Sequence, residues 1–407
     1  RMSGGLNSFA LLAIPLFILS GQLMAQGGIA RRLIEFSKAM IGMVPGGLAF
    51  VNVISCTLFG AISGSSIAAT TAVGSFMIPE MKKEGYDSNF AAAITVTSAT
   101  TGLLIPPSNT LIVYAVASGG VSIAALFVAG YVPGILISIA TIIVCAIYAR
   151  RHNFPAGERV PARVAMKYTV AALPSLFLIV LVIGGILAGI FTATEAGAIA
   201  VLYALLLSAV VYREIGFADI ASICLKAAQT TAVVMFLIAA SIAMSWILAY
   251  ENIPAIVAET LVGISDNPIV ILLLINIVLL LVGIFMDMTP AVLIFTPIFL
   301  PVAMELGMSP LHFGIMLVLN LCIGLCTPPV GTILFVGCAL AKTTIDRMVR
   351  PMMPMYAAMF VVLMLITYIP ELSEGLPRFF GLIYESLGVI RPRYSKFENR
   401  ASPSPAA

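Results

Sequence analysis

The sequence contains little charge. Only 10% of its 407 residues are charged and 61% are hydrophobic, whereas a soluble domain carries about 25% charged residues. Apolar runs of about twenty residues recur along the chain, and each is long enough to cross about 30 Å of hydrocarbon. This composition excludes a soluble globular protein and predicts an all-α polytopic membrane protein in a lipid bilayer.

Residues that support catalysis or bind metals are also scarce. There is no Walker motif, which argues against ATP-driven transport within this chain. The segment Gly60–Gly64 is not the G-x-S-x-G elbow of a serine hydrolase, and no intramembrane histidine could activate a serine. The six cysteines lack metal-type spacing and are interpreted as small core residues. We therefore predict no enzymatic activity, no cofactor apart from a coupling ion, and no nucleic-acid partner.

Two double prolines interrupt long apolar runs. Pro106–Pro107 is followed by hydroxyl and amide side chains, and Pro328–Pro329 repeats the motif further along the chain. A proline inside a helix lacks an N–H and frees the carbonyl four residues earlier. Polar backbone at membrane depth is tolerated only inside protein or beside a wet cavity. The motif predicts two broken transmembrane helices, with a structural kink as the alternative, and the carbonyls freed at the breaks would be those of Gly102, Leu103, Gly324 and Leu325.

A constant offset in residue number relates the two breaks. Pro106 and Pro328 are 222 residues apart, and Gly102 and Gly324 are separated by the same offset of 222 residues. A shared offset in segments of similar polarity predicts an internal duplication. The first copy would comprise residues 45–118 and the second copy residues 267–341, each with a helical hairpin followed by a broken helix.

The charges orient the two copies in opposite directions. Lysine and arginine collect on the cytoplasmic side, and the loop 150–167 carries five of them. The segment before the second copy carries Glu251, Glu259 and Asp266 but no lysine or arginine. The first copy therefore starts from the cytoplasm and the second from outside. The Gly/Ser-rich tip at 63–66 favours a re-entrant hairpin, and inverted repeats with broken helices are typical of secondary transporters.

Oxygen-bearing side chains lie at the hairpin tips and beyond the breaks, where they suit a small cation. The candidate cation ligands are Ser63, Ser65 and Ser66 at the first tip, Asp287 and Thr289 at the second, and Ser108, Asn109, Thr110, Thr327 and Thr332 beside the breaks. Asp287 could bind a cation, carry a proton, or cap the helix that starts near Met288. We interpret Glu195 as a residue of a first helical turn that Thr194 caps.

Four segments resemble the large membrane subunit of TRAP transporters, which are tripartite, ATP-independent carriers that depend on a periplasmic binding protein. The segments are Leu58–Met81, Thr101–Tyr114, Phe191–Leu202 and Leu321–Phe335, and the run GAISGSSIAATTA from residue 60 is specific rather than compositional. The resemblance covers about residues 6–372. It implies an elevator-type Na⁺ symporter in the bacterial inner membrane that takes up an organic carboxylate, such as a C4-dicarboxylate or sialic acid.

The resemblance also implies partners and sites. A small four-helix membrane subunit would bind the chain, and a periplasmic substrate-binding protein would deliver the carboxylate. One Na⁺ site would pair Ser63–Ser66 with Gly102–Asn109, and the other would pair Asp287–Thr289 with Gly324–Thr332. The substrate would contact residues drawn from the same set, namely Ser65, Ser66, Asn109, Thr110, Asp287 and Thr332.

The resemblance implies a division of the chain into moving and fixed parts. The two copies would form a transport domain, and scaffold and connecting helices would lie at 1–44, 119–266 and 342–374, followed by a polar tail at 375–407. We expect that a native N-terminal segment precedes residue 1. The alternatives are an ion-coupled carboxylate transporter that works without a binding protein and, less favoured, an ion channel.

Overall fold

The computed structural model describes residues 9–383 except 153, 155, 156, 158, 159 and 266. All regular structure in this part of the chain is helical, which confirms the all-α prediction. Seven of the described helices are long and apolar enough to cross a membrane, or eight if a pair bent by 68° at residues 27–28 counts as one span. The expectations for Arg159, Asp266 and the tail from 384 onward lie outside the described residues.

The helices form two similar series. The first series is α1 (Ala13–Gln26), α2 (Ile29–Ile41), α3 (Gly47–Ser63), α4 (Ser66–Lys83), α5 (Ser88–Ala99), α6 (Asn109–Ala117) and α7 (Ile123–His152). The connecting helices are α8 (Ala162–Leu187) and α9 (Ala193–Leu205). The second series is α10 (Phe217–Tyr250), α11 (Ile253–Ile264), α12 (Pro268–Phe285), α13 (Met288–Glu305), α14 (Pro310–Leu325), α15 (Thr332–Ala341) and α16 (Ile345–Tyr368), and α17 (Glu371–Phe379) follows it. Shorter 3₁₀ segments lie at Phe9–Leu12 and Thr100–Leu103, and a π-helical segment lies at Leu206–Val211.

The duplication extends to backbone conformation. Helices α7 and α16 begin at Ile123 and Ile345, which are separated by the same offset as the two double prolines. Gly85 and Gly307 have the same left-handed φ of 85° before α5 and α14, a conformation that costs glycine little. The predicted repeat is therefore present in the fold, and it extends one helix beyond the predicted copies.

Both hairpins reverse direction within two residues. Between α3 and α4, Gly64 adopts a left-handed φ of 61° and Ser65 is extended. The Ser65 hydroxyl accepts the Ala68 N–H at 3.3 Å and so caps α4. Between α12 and α13, Met286 and Asp287 are both extended. Each tip is therefore a turn of two residues that joins the end of one helix to the start of the next.

The two copies interlock. Helix α6 packs against α13, while α15 packs against α4 and α5. The second half of each broken helix therefore contacts a hairpin arm of the other copy. Helices α7 and α16 each pack against both α5 and α14. The two copies are therefore packed into one another rather than lying side by side.

The start of α9 corrects one expectation. Thr192, not Thr194, caps this helix: its hydroxyl accepts the Glu195 N–H at 3.2 Å, and the Glu195 carboxylate accepts the Thr192 N–H at 2.8 Å. This reciprocal pair is a capping box, whose T-x-x-E spacing is visible in the sequence. Glu195 therefore takes part in capping its own helix, as expected, but its partner is Thr192 rather than Thr194.

Candidate functional site

Two glycine pairs bring each hairpin against its own broken helix. A Cβ added to Gly102 would lie 2.3 Å from the Cα of Gly60 in α3. In the second copy, a Cβ added to Gly324 would lie 2.6 Å from the Cα of Gly283 in α12. No side chain fits at either crossing. The first arm of each hairpin therefore lies in backbone contact with the segment just before the break.

The first hairpin tip lies on the first break. A Cβ added to Gly64 would be 3.2 Å from the Pro107 carbonyl oxygen and 3.3 Å from the Asn109 side-chain nitrogen. Ser63 and Ser66, on either side of the turn, are each only 5% exposed. The structure thus brings together the tip and the break that the sequence analysis paired.

The second tip also lies against its own break. The Gly331 N–H donates to the Ile284 carbonyl oxygen at 3.2 Å, which joins the break to the end of α12. A Cβ added to Gly331 would lie 2.9 Å from the Thr327 carbonyl oxygen and 3.0 Å from that of Leu325. Two carbonyl oxygens therefore approach Gly331, and a methyl group of Leu334, 2.7 Å from the same added Cβ, fills the remaining space.

The two tips differ in exposure. Asp287 is exposed in this chain and Thr289 is half-buried, whereas the serines beside the first tip are buried. Asp287 occupies the N-cap position of α13, but its side chain makes no capping hydrogen bond. The alternative that Asp287 caps this helix is therefore wrong, and its roles as a cation ligand or a proton carrier stay predictions.

The breaks do not leave all the expected carbonyls free. The Leu103 carbonyl accepts the Ser108 hydroxyl at 2.5 Å, and the Gly324 carbonyl accepts the Thr327 N–H at 2.9 Å. Prolines remove the normal helical donors, but the chain turns at once and supplies local ones. A carbonyl oxygen has two lone pairs, so each still has room for a second partner. Their role as cation ligands stays a prediction.

Several candidate hydroxyls make local bonds. Ser63 donates to the Ser65 carbonyl at 3.4 Å, and Thr327 donates to the Ile323 carbonyl at 2.7 Å. The Ser108 hydroxyl accepts the Leu111 N–H at 3.4 Å and caps α6. The hydrogens of these hydroxyls are already donated to acceptors within the protein. The oxygen lone pairs of these groups therefore remain available to a ligand, but their hydrogens do not.

Two candidate oxygens have no partner. Asn109 Oδ1 and Thr332 Oγ1 are buried without a hydrogen bond among the described residues. Asn109 is the first residue of α6 and Thr332 is the first residue of α15, so each oxygen lies at the start of the helix that follows a break, although the repeat pairs Asn109 with Gly331. An unsatisfied buried acceptor costs about 1–3 kcal/mol. A cation bound at each break would remove this cost.

The ligand types favour a hard cation over a transition metal. No group of three His, Cys, Asp or Glu side chains converges on one position in the described part of the chain. The oxygens at the breaks are carbonyl, hydroxyl and amide oxygens, which suit hard cations. Thr110 is buried at the first break and is the repeat counterpart of Thr332, so both copies carry a threonine at the same position.

The sequence analysis missed a helix at this site. A Cβ added to Gly21 of α1 would lie 2.5 Å from the Ser63 carbonyl oxygen and 3.5 Å from the Ser63 Cα. Helix α1, which lies outside both copies, therefore contacts the first tip through backbone. A glycine in an apolar helix has many uses, so no sequence signal marked this one.

Comparison with known proteins identifies the family. The profile described as "Tripartite ATP-independent periplasmic transporter, DctM component" matches residues 1–372 of the chain. The chain belongs to this family. The C4-dicarboxylate TRAP transporter large permease protein DctM of Pseudomonas aeruginosa is 42% identical to this TRAP permease over 374 residues, which are 92% of this chain and 87% of the relative.

Other relatives extend the comparison. The uncharacterized protein YgiK of Salmonella typhimurium is 53% identical over 381 residues, with 94% of this chain and 87% of the relative covered. The solved YdaH transporter of Alcanivorax borkumensis matches with a TM-score of 0.65 at 15% identity, over 93% of this chain and 88% of that one. At that identity the likeness concerns the fold alone.

Family membership fixes the general role of the molecule. This chain is a multi-pass inner-membrane protein and a large permease subunit of the TRAP type. The family works with a small membrane subunit and a periplasmic binding protein. The resemblance drawn from the hairpin tip and the double prolines is confirmed.

Proposed function

We propose that this TRAP permease couples the uptake of an organic carboxylate to Na⁺, with one Na⁺ bound between each hairpin tip and its break. The observation that carries the proposal is the pair of orphaned oxygens, Asn109 Oδ1 and Thr332 Oγ1, each on the first residue of the helix that follows a break. Backbone carbonyls lie at both breaks: that of Pro107 faces Gly64 at the first tip, and those of Leu325 and Thr327 face Gly331. Oxygens of this kind are suited to Na⁺.

The substrate class rests on electrostatics and on the relatives. Helices α6 and α15 begin at the breaks, and α4 and α13 begin at the tips, so four positive helix ends are available to an anion. Ser65, Ser66 and Thr110 would add hydroxyl donors. The Pseudomonas relative is named for C4-dicarboxylates, and we propose a small carboxylate of this kind, with sialic acid as the larger alternative.

The moving unit in this proposal is the interlocked pair of copies. Since α6 packs on α13 and α15 packs on α4, the hairpins and broken helices would shift as one rigid body. The surrounding helices, α1, α2 and α8 to α11, would remain with the small membrane subunit. Substrate and Na⁺ would cross the membrane together inside this body, as in an elevator.

Component omission tests the proposal. The chain, its small subunit and its periplasmic binding protein are purified, reconstituted into proteoliposomes and supplied with labelled succinate or sialic acid. We expect saturable uptake of one carboxylate only when the binding protein is present. Equal uptake without it would support the binding-protein-independent alternative, and non-saturable flux of ions without carboxylate would support a channel.

A further inference from the structure

Helix α1 is fixed on the side away from the first hairpin tip. A Cβ added to Gly197 of α9 would lie 3.0 Å from the Leu16 Cβ, and the Ser208 hydroxyl donates to the Leu23 carbonyl at 3.4 Å. Just beyond the bend, the guanidinium of Arg32 lies 3.7 Å from the centre of the Tyr212 ring. These contacts hold α1 between α9 and the first copy.

The first tip is held from two sides. On one side, Gly21 of α1 lies so close to Ser63 that a Cβ on it would be 2.5 Å from the Ser63 carbonyl oxygen. On the other side, a Cβ on Gly64 would be 3.2 Å from the Pro107 carbonyl oxygen. The tip therefore has no room to lift off the break while α1 stays in place.

The second tip has a different support. The helix equivalent to α1 is α10, and its Ser241 hydroxyl donates to the Leu293 carbonyl at 2.8 Å. Leu293 lies well beyond Asp287, on the shaft of α13 rather than at the tip. Asp287 itself is exposed. Gly21 thus contacts the first tip itself, whereas the Ser241 hydrogen bond lies on the shaft of α13.

We propose that Gly21 is a positioning residue that latches the first hairpin tip shut. With no side chain at this position, the α1 backbone presses on Ser63 and keeps the tip closed over the break at Pro107–Asn109. The tip can open only after the moving body has slid away from Gly21. This inference rests on the proposed function, because it explains how the first site stays closed during coupled transport.

Side chains of increasing size test the latch by displacing the tip. Gly21→Ala and Gly21→Val insert one and three carbon atoms into a contact that has no free space. The matched control is Gly184→Val, because Gly184 is also a helical glycine of an apolar helix but a Cβ there meets nothing within 4 Å.

The first readout is the Na⁺ dependence of uptake by the reconstituted complex. We expect half-saturating Na⁺ to rise several-fold for Gly21→Ala and by about tenfold for Gly21→Val, with the Gly184→Val control close to the parent. A merely structural role would lower the amount of active protein and leave half-saturating Na⁺ unchanged.

The second readout does not depend on transport. Cys224 is exposed and the other cysteines are buried, so a Cys224→Ser background carrying Ser66→Cys reports access to the tip by maleimide labelling. We expect Gly21→Val to label faster than its parent and Gly184→Val to label at the parent rate. If Gly21→Val does not assemble, Gly21→Ala is scored by the same comparison.

The outcomes separate the latch from the proposed function. Labelling rates and half-saturating Na⁺ that are the same in all variants would overturn the latch while leaving Na⁺ coupling intact. Uptake by the parent that ignores Na⁺ would overturn the proposed coupling, and the labelling comparison would still decide whether α1 holds the tip. Faster labelling confined to the Gly21 variants supports the latch.

Discussion

The thiol of Cys322 donates to the carbonyl oxygen of Thr100 at 3.5 Å, and these two residues are 222 positions apart. They are each other's counterparts in the repeat. Two equivalent residues can touch only beside the axis that relates their copies, so the pseudo-twofold axis passes between them. Gly102 and Gly324 follow shortly after on either side, which places both breaks close to the centre of the molecule.

Enlarging Cys322, which lies at this axis, should destabilise the folded protein. Cys322 is fully buried, and overpacking a buried site costs about 1–3 kcal/mol. Cys322→Leu should therefore lower the thermal unfolding temperature of the detergent-solubilised protein. Cys224→Leu, at an exposed cysteine, should leave it unchanged. Equal unfolding temperatures for the two variants would show that the contact between the copies is not tightly packed.

The glycine crossings should tolerate no side chain. Gly60→Ala, Gly102→Ala and Gly324→Ala each place a Cβ within 2.6 Å of backbone atoms, so we expect each to lose about 1–3 kcal/mol of stability or to shift a hairpin. Gly184→Ala is the control, since alanine favours a helix over glycine by about 1 kcal/mol and meets no neighbour there. Thermal unfolding monitors both, and a loss for Gly184→Ala as large as for Gly102→Ala would contradict the argument.

The orphaned oxygen of Thr332 should be recognisable by its response to Na⁺. Thr332→Val removes an unsatisfied acceptor, so stability without Na⁺ should stay level or rise. The increase in unfolding temperature that Na⁺ produces should become smaller, because ligand binding stabilises only the state that binds.

Thr296→Val is the matched control for Thr332→Val. Thr296 carries another buried hydroxyl without a partner among the described residues, on the shaft of α13 and away from the breaks. Thr296→Val should show the same gain in stability without Na⁺ as Thr332→Val. Its unfolding temperature should rise with added Na⁺ as much as that of the parent. If both variants respond to Na⁺ equally, the oxygen at the second break is not a ligand.

The hairpin tips should set the Na⁺ requirement. We expect Ser65→Ala and Asp287→Ala to raise the Na⁺ concentration that gives half-maximal transport, since each removes an oxygen at a tip. Ser65→Ala also removes the cap of α4, so protein amount and unfolding temperature are measured in parallel. Asp346→Ala, at an exposed aspartate beyond both copies, is the control. Unchanged Na⁺ dependence in both tip variants would rule out the tips as ligands.

Much of the fold could be predicted from the proline and glycine residues that mark helix breaks and turns in the sequence. Prolines 106–107 and 328–329 break apolar helices because they lack N–H donors, and the offset between them located the repeat. Gly85 and Gly307 shared that offset because both copies need a left-handed residue at the same turn. Hairpins, breaks and their order along the chain were therefore accessible from sequence alone.

Contacts between distant segments were not accessible in this way. The crossing glycines in the hairpins, Gly60 and Gly283, are separated by one position more than the offset of the repeat, so the offset alone does not pair them. The exchange of α6 and α15 between copies depends on three-dimensional packing. The local hydrogen bonds to the Leu103 and Gly324 carbonyls were not predicted, because Ser108 and Thr327 supply donors as soon as the chain turns.

The driving force for uptake tests the central claim most directly. Proteoliposomes containing the complete complex are given the binding protein, labelled carboxylate and an inward Na⁺ gradient, with an equal K⁺ gradient as the control. We predict accumulation above equilibrium with Na⁺, its collapse when a Na⁺ ionophore dissipates the gradient, and no accumulation with K⁺. Accumulation of the same extent with K⁺, or after the Na⁺ gradient has been abolished, would contradict Na⁺ coupling.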